Sequence, residues 1–74
     1  MMVEERQLGK LTVSVEDAFL HRWDNGTIMV EVPVYYHTDS GVLAGSVWLS
    51  EDEGEEVALH EARFWANKIE KGLA

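Results

Sequence analysis

The sequence predicts an α+β fold of two layers, a three-stranded antiparallel β-meander packed on one C-terminal α-helix (βββα). Three observations support it: residues 11–36 alternate apolar and polar with a period of two, Asn25-Gly26 falls between two such runs, and the apolar spacing changes to 3.6 after Ser50. At 74 residues with 46% hydrophobic content, the chain forms one domain whose core is near the lower limit for independent stability. Strands are expected over about 10–23, 27–37 and 42–49, and a helix over about 51–71.

In the first strand Leu11, Val13, Val15, Phe19 and Trp23 share one parity, interrupted by Asp17 and His21. Asn-Gly favours a two-residue type I′ hairpin, because both residues tolerate positive φ. Placing Asn25 and Gly26 at its tip pairs Trp23 with Ile28, Phe19 with Val32 and Val15 with Tyr36, so the second strand turns Ile28, Val30, Val32, Val34 and Tyr36 to the same face. Pro33 cannot donate to a ladder. It falls opposite Ala18, beside Glu16-Asp17, so a bulge or bend is expected there. The turn 38-TDSG-41 leads into the third strand, which sets Leu43, Val47 and Leu49 on the apolar face.

The helix is expected to start at Ser50, with Glu53 at capping-box spacing, and to stop at Gly72. At about 100° per residue, Ala58, Leu59, Ala62, Trp65, Ala66, Ile69 and Leu73 form one stripe that faces the sheet.

Composition excludes several function classes. Without cysteine there is no disulfide framework, thiolate metal site or cysteine nucleophile. Six Lys and Arg against fourteen Asp and Glu give a net charge of −8, which repels nucleic-acid backbones and anionic lipid and so disfavours both as direct partners. The N-terminus MMVEERQLGK has acids where a secretory signal needs basic residues, and no apolar run reaches the length of a membrane span. The expected compartment is the cytoplasm, the host's if the source is viral.

Chemistry is equally sparse. His21, His37 and His60 form no His-x-x-x-His pair, and no carboxylate spacing completes a metal set. His21 is expected at a sheet edge or bonded to Asp17, and Asp17 and Glu31 are candidates to pair across the sheet. Ser40 and Ser46 lack the strand-to-helix setting of an activated nucleophile, and Gly41, Gly45 and Gly54 form no phosphate loop. A non-enzyme without cofactor or metal is the expectation.

Two surfaces remain. Glu51, Asp52, Glu53, Glu55 and Glu56 cluster without an intervening cation, and Glu61 follows one turn later. Carboxylates in a first helical turn gain about 0.3 to 1 kcal/mol each from the helix dipole, but dipole complementation needs only one or two. The surplus suits a basic protein groove. The uncovered sheet face is expected to carry Ala18, Leu20, Met29, Pro33, Tyr35 and Trp48, with Trp48 across from Pro33, and Phe64 makes a second apolar spot on the polar side of the helix. Small acidic proteins that occupy nucleic-acid sites of host enzymes, phage anti-restriction and anti-CRISPR inhibitors among them, are similar in composition and size. The expected function is therefore a protein-binding inhibitor, a nucleic-acid mimic with a basic, nucleic-acid-binding protein as partner. The alternative is a homodimeric structural or regulatory module, antitoxin-like or for phage assembly, joined through the uncovered sheet face.

Overall fold

In the computed structural model, which describes residues 1–73, the β-branched and aromatic run IMVEVPVYYHT forms one long central strand, and the other strands are placed by it. The strands are β1 (Met2–Glu5), β2 (Lys10–Val13), β3 (Phe19–Arg22), β4 (Ile28–Thr38) and β5 (Gly41–Ser50), followed by α1 (Glu55–Leu73). β5 pairs with β4 along its whole length, β3 and β2 share the other side of β4, and β1 lies outside β2. The fold is α+β, five antiparallel strands packed against one C-terminal helix, where the alternation predicted three strands.

The expected first strand is two strands. Val13 pairs with Val34 and Phe19 with Glu31, so the five residues 14–18 stand against only two of β4. The excess is taken up by a 3-10 turn, Val15–Asp17, whose start is tied by the Ser14 hydroxyl donating to Asp17 at 2.7 Å. Pro33 lies beside this excursion, where the Ser14 N–H donates to its carbonyl at 2.9 Å. Its missing N–H therefore removes no ladder bond, and the expected bend is the excursion. An excess of three residues is odd, so the side-chain parity inverts between β2 and β3. Leu11 and Val13 face the helix; Phe19 and His21 face away from it.

The hairpin after β3 agrees with this inversion and corrects the expected register. Trp23 N–H donates to Thr27 at 2.9 Å and Gly26 N–H to Trp23 at 3.0 Å, so the loop holds three residues, Asp24, Asn25 and Gly26. Gly26 alone has positive φ, +87°, and Asn25 does not. This is a type I turn followed by a G1 bulge, in which one glycine supplies the left-handed residue. Asn25 instead accepts the Thr27 N–H through Oδ1 at 2.9 Å. Arg22, rather than Trp23, pairs with Ile28.

Ser50 does not cap the helix. It is the last residue of β5, and its bonds with Glu53 close a turn instead: Glu53 N–H donates to the Ser50 carbonyl at 3.1 Å rather than to the hydroxyl, and Ser50 N–H donates to Glu53 Oε1 at 2.8 Å. Gly54 interrupts helical propensity directly afterwards, and its carbonyl accepts the first helical bonds from Val57 and Ala58. The helix starts at Glu55, so Glu51, Asp52 and Glu53 lie outside it.

Ala58, Ala62 and Ala66, four residues apart on one line of α1, are fully buried against Leu11, Val13, Val32, Val34, Tyr36, Val47 and Leu49 of the sheet. Leu59, Trp65 and Ile69 pack at the margins, whereas Leu73, expected in the stripe, is exposed. Alanine brings the helix backbone close to the sheet, and Trp65 fits beside it because β5 has no side chain at Gly45. A Cβ there would lie 2.9 Å from the Trp65 ring.

Opposite this flank, α1 is fastened to β1 and the turn after it. Arg6 donates to both oxygens of Glu70, at 3.0 Å from Nε and 2.8 Å from Nη2, and also to Asn67 and, at 2.9 Å, to Glu4. The Tyr36 hydroxyl donates to Glu70 at 2.5 Å, and Arg63 donates to Glu4 at 2.8 Å. Hydrogen bonds first from Arg6 and then from Tyr36 hold the Glu70 carboxyl below its usual range.

Candidate protein-interaction surface

One helix covers one side of this sheet. The other side presents Val3 on β1, Thr12 on β2, Phe19 and His21 on β3, the odd-numbered residues of β4 from Met29 to His37, and the even-numbered residues of β5 from Val42 to Ser50. Its aromatic residues gather at one end. The His21 and Trp48 rings, from opposite flanks of β4, meet over that strand with centroids 4.7 Å apart. Trp23 joins them, 6.1 Å from His21 and 6.5 Å from Trp48. Phe19, Trp23 and Trp48 remain 62%, 48% and 46% exposed. Soluble monomers seldom leave large rings this accessible in one place.

The rings stand on a polar brace. Glu31 accepts the Ser46 hydroxyl at 2.6 Å and lies 2.9 Å from His21 Nε2. The Ser46 hydroxyl first, and His21 second, hold the Glu31 carboxyl below its usual range. The brace fixes His21 in the orientation that receives Trp48, which pre-organises the patch. Glu31 thus pairs with His21 and Ser46, and Asp17 bonds Ser14, in place of the expected Asp17–Glu31 or Asp17–His21 contacts.

The acid segment begins where this aromatic end stops, three residues after Trp48. Asp52 and Glu53 are engaged by Ser50, whose hydroxyl lies 2.6 Å from Asp52 Oδ1 and 2.9 Å from Glu53 Oε1. Glu51, Glu55, Glu56 and Glu61 are exposed and make no ion pair among the described residues. Two of the chain's few cations, Arg6 and Arg63, are consumed by Glu4 and Glu70 on the far flank of the helix. Local charge at the segment is therefore uncompensated.

Several expected site residues lie elsewhere. Met29, Pro33, Tyr35 and Trp48 share the uncovered face, but Trp48 pairs with Glu31 and Pro33 with Ser46. Leu20 pairs with Val30 on the helix side, exposed because α1 does not reach β3, and Ala18 belongs to the excursion. Phe64 is 59% exposed on α1, with the Lys68 ammonium 5.3 Å from its ring centre, and is not part of the aromatic patch. Phe19, His21 and Trp23 join the face through the parity inversion. The signal for them was Asp24 ahead of Asn25-Gly26, which suits a three-residue loop.

No cluster of three or more metal-ligating side chains occurs among the described residues, and no helix there is long and apolar enough to cross a membrane. No family model matches the chain, nor does any curated protein or solved structure.

Proposed function

We propose that the protein is a protein-binding module that docks through the aromatic end of its uncovered sheet face, with residues 51–56 and Glu61 as an acidic rim. The observation that carries this reading is the His21–Trp23–Trp48 cluster, half-exposed, braced by Glu31 and adjoining uncompensated acids. Aromatic anchors ringed by charge are the composition of energetic interface centres. The partner that suits this surface is a protein with a basic, nucleic-acid-binding site. Its cations would be steered by Glu51, Glu55, Glu56 and Glu61 while Trp23 and Trp48 supply the buried contact. Occupying such a site excludes nucleic acid from it, so the module acts as an inhibitor.

The test is competition. A partner captured by the immobilised protein should be released by excess duplex or single-stranded nucleic acid and should not be captured by a Trp48→Ala variant of native fold. Capture that persists through both perturbations contradicts the proposal.

A further inference from the structure

The two long-side edges of the sheet differ in a way that the docking face does not explain. β1, at one edge, is four residues long and carries Glu4 and Glu5. β5, at the other, runs for ten residues, GVLAGSVWLS, with no charge and no proline, and pairs only with β4. Natural edge strands are kept from pairing by charge, proline, a bulge or shortness. β5 has none of these, although the chain as a whole carries a net charge of −8.

The free backbone groups of β5 can be identified. Pro33 turns its carbonyl toward Ser14, so odd-numbered residues of β4 point to the β2 side and even-numbered ones bond β5. Val32 and Val34 pair with Val47 and Gly45, so odd-numbered residues of β5 are satisfied by β4. Val42, Ala44, Ser46, Trp48 and Ser50 turn outward. Ser50 is already used on both sides by Glu53, its N–H donating to Oε1 and its carbonyl accepting the Glu53 N–H. Four residues remain, spaced symmetrically about Gly45.

We infer that β5 is a self-association edge and that its occupant is β5 of a second copy, antiparallel, with the twofold axis at Gly45. This register sets Val42 against Trp48 of the second copy and Ala44 against Ser46, uses all four free residues, and forms about eight hydrogen bonds at two per pair. Exposed Val42 and Leu43 gain apolar neighbours, Trp48 and Val47 of the second copy.

The helix layer is self-complementary about the same axis. Trp65 marks the point of α1 above Gly45. Arg63, Asn67 and Glu70 bond toward β1, so at 100° per residue Glu61 and Lys68 fall on the Trp65 flank, one turn to either side of it. The twofold makes the two helices antiparallel. Because each helix packs across β2, β4 and β5, they run about 14 Å apart at ~4.8 Å per strand. Each Glu61 then meets Lys68 of the other copy across a gap that these long side chains bridge. An isologous contact requires this self-complementarity. The dimer engages Trp48 and Glu61, which the docking surface also uses, but it leaves His21 and Trp23 open. Its test reads self-association alone, so its failure is distinguishable from failure of the proposed docking function.

Sedimentation from low to high micromolar concentration, with amide exchange of the wild-type protein, tests it. A dimer is expected, with the Val42, Ala44, Ser46 and Trp48 amides protected against exchange in proportion to its population. Ala44→Pro removes an outward N–H without touching a β4 bond and should raise the dimer Kd by about tenfold or more. Glu61→Lys should raise it by about three- to tenfold across the two symmetric pairs, with recovery in Glu61→Lys/Lys68→Glu. Monomeric wild-type protein, or a dimer whose four amides exchange freely, overturns the inference; the latter outcome would place the contact on the sheet face instead. The exchange measurement decides the matter even if Ala44→Pro fails to fold.

Discussion

Glu70 is the centre of the attachment between α1 and the N-terminal strands, and its removal has a magnitude that the geometry sets. It accepts two hydrogen bonds from Arg6 and one from Tyr36, and the Arg6 and Glu70 side chains are only 16% and 19% exposed. Hydrogen bonds to charged groups contribute about 1.5 to 3 kcal/mol each, and stranding one partner of a buried pair costs about 3 to 5 kcal/mol. Here the loss is smaller, because Arg6 keeps Glu4 and Asn67 and water reaches the margin. Glu70→Ala should therefore cost about 2 to 3 kcal/mol and Glu70→Gln about 1 to 2 kcal/mol. A domain of this length is stable by about 4 to 10 kcal/mol, so either loss is readily measured. Urea unfolding followed by circular dichroism should show the midpoint falling by about 1 to 3 M with an unchanged slope near 1 kcal/mol/M. The folded-state carboxyl of Glu70 lies below its usual range, so its contribution is present above the unfolded pKa and is lost as pH falls through the folded one. The difference between wild type and Glu70→Gln should thus be full at pH 7 and shrink once the pH falls below the ordinary carboxylate range. A Glu70→Gln midpoint equal to wild type at pH 7, or zero coupling with Arg6→Met in a double-mutant cycle, would refute the reasoning.

Three further outcomes follow from other sites. Trp65→Ala should destabilise by about 3 kcal/mol, at the low end for tryptophan because the ring is half-buried over Gly45; a wild-type melting curve would contradict that seat. Gly26→Ala should cost about 1 to 2 kcal/mol from the left-handed conformation alone, since open space surrounds the position, and an unchanged urea midpoint would contradict the G1 bulge. Replacing Glu55 and Glu56 by Gln should leave the melting temperature within about 3 °C yet slow association with a basic partner, most strongly at low salt; equal association rates across salt would remove the acidic rim from the docking surface.

What could be read from the chain alone follows the range of the interactions involved. β4, β5 and the alanine line of α1 declare themselves by periodicity, because burial against a single neighbouring layer imposes a regular pattern. Pro33 signalled the interruption opposite it through its missing donor. β1 did not: in MVEE the helix-facing positions are Met2 and Glu4, and a glutamate there gave no apolar signal. Glu4 is placed there by Arg6 and Arg63, and Arg63 lies 59 residues away in sequence. The Ser50–Glu53 pair was legible as chemistry and misleading as location, since the bond from the Ser50 N–H to the Glu53 carboxylate forms in a turn as well as at a helix start. The aromatic patch was concealed by one residue of loop length, and the open edge of β5 becomes visible only once the strand order is fixed.

That single residue has an implication for how such a surface changes over time. β3 hangs between two irregular connections, the excursion 14–18 and the loop Asp24–Gly26, and is only four residues long. Removing one residue from the loop and adding one to the excursion would slide β3 by one position against β4 without disturbing any other strand. Phe19 and His21 would rotate inward, and Leu20 and Arg22 would take their places outside. A lineage carrying this fold can thus exchange one displayed set of side chains for another by a deletion and a compensating insertion, with every coding change confined to the two connections that flank β3. Length, rather than composition, is the variable that sets what this face offers to its surroundings.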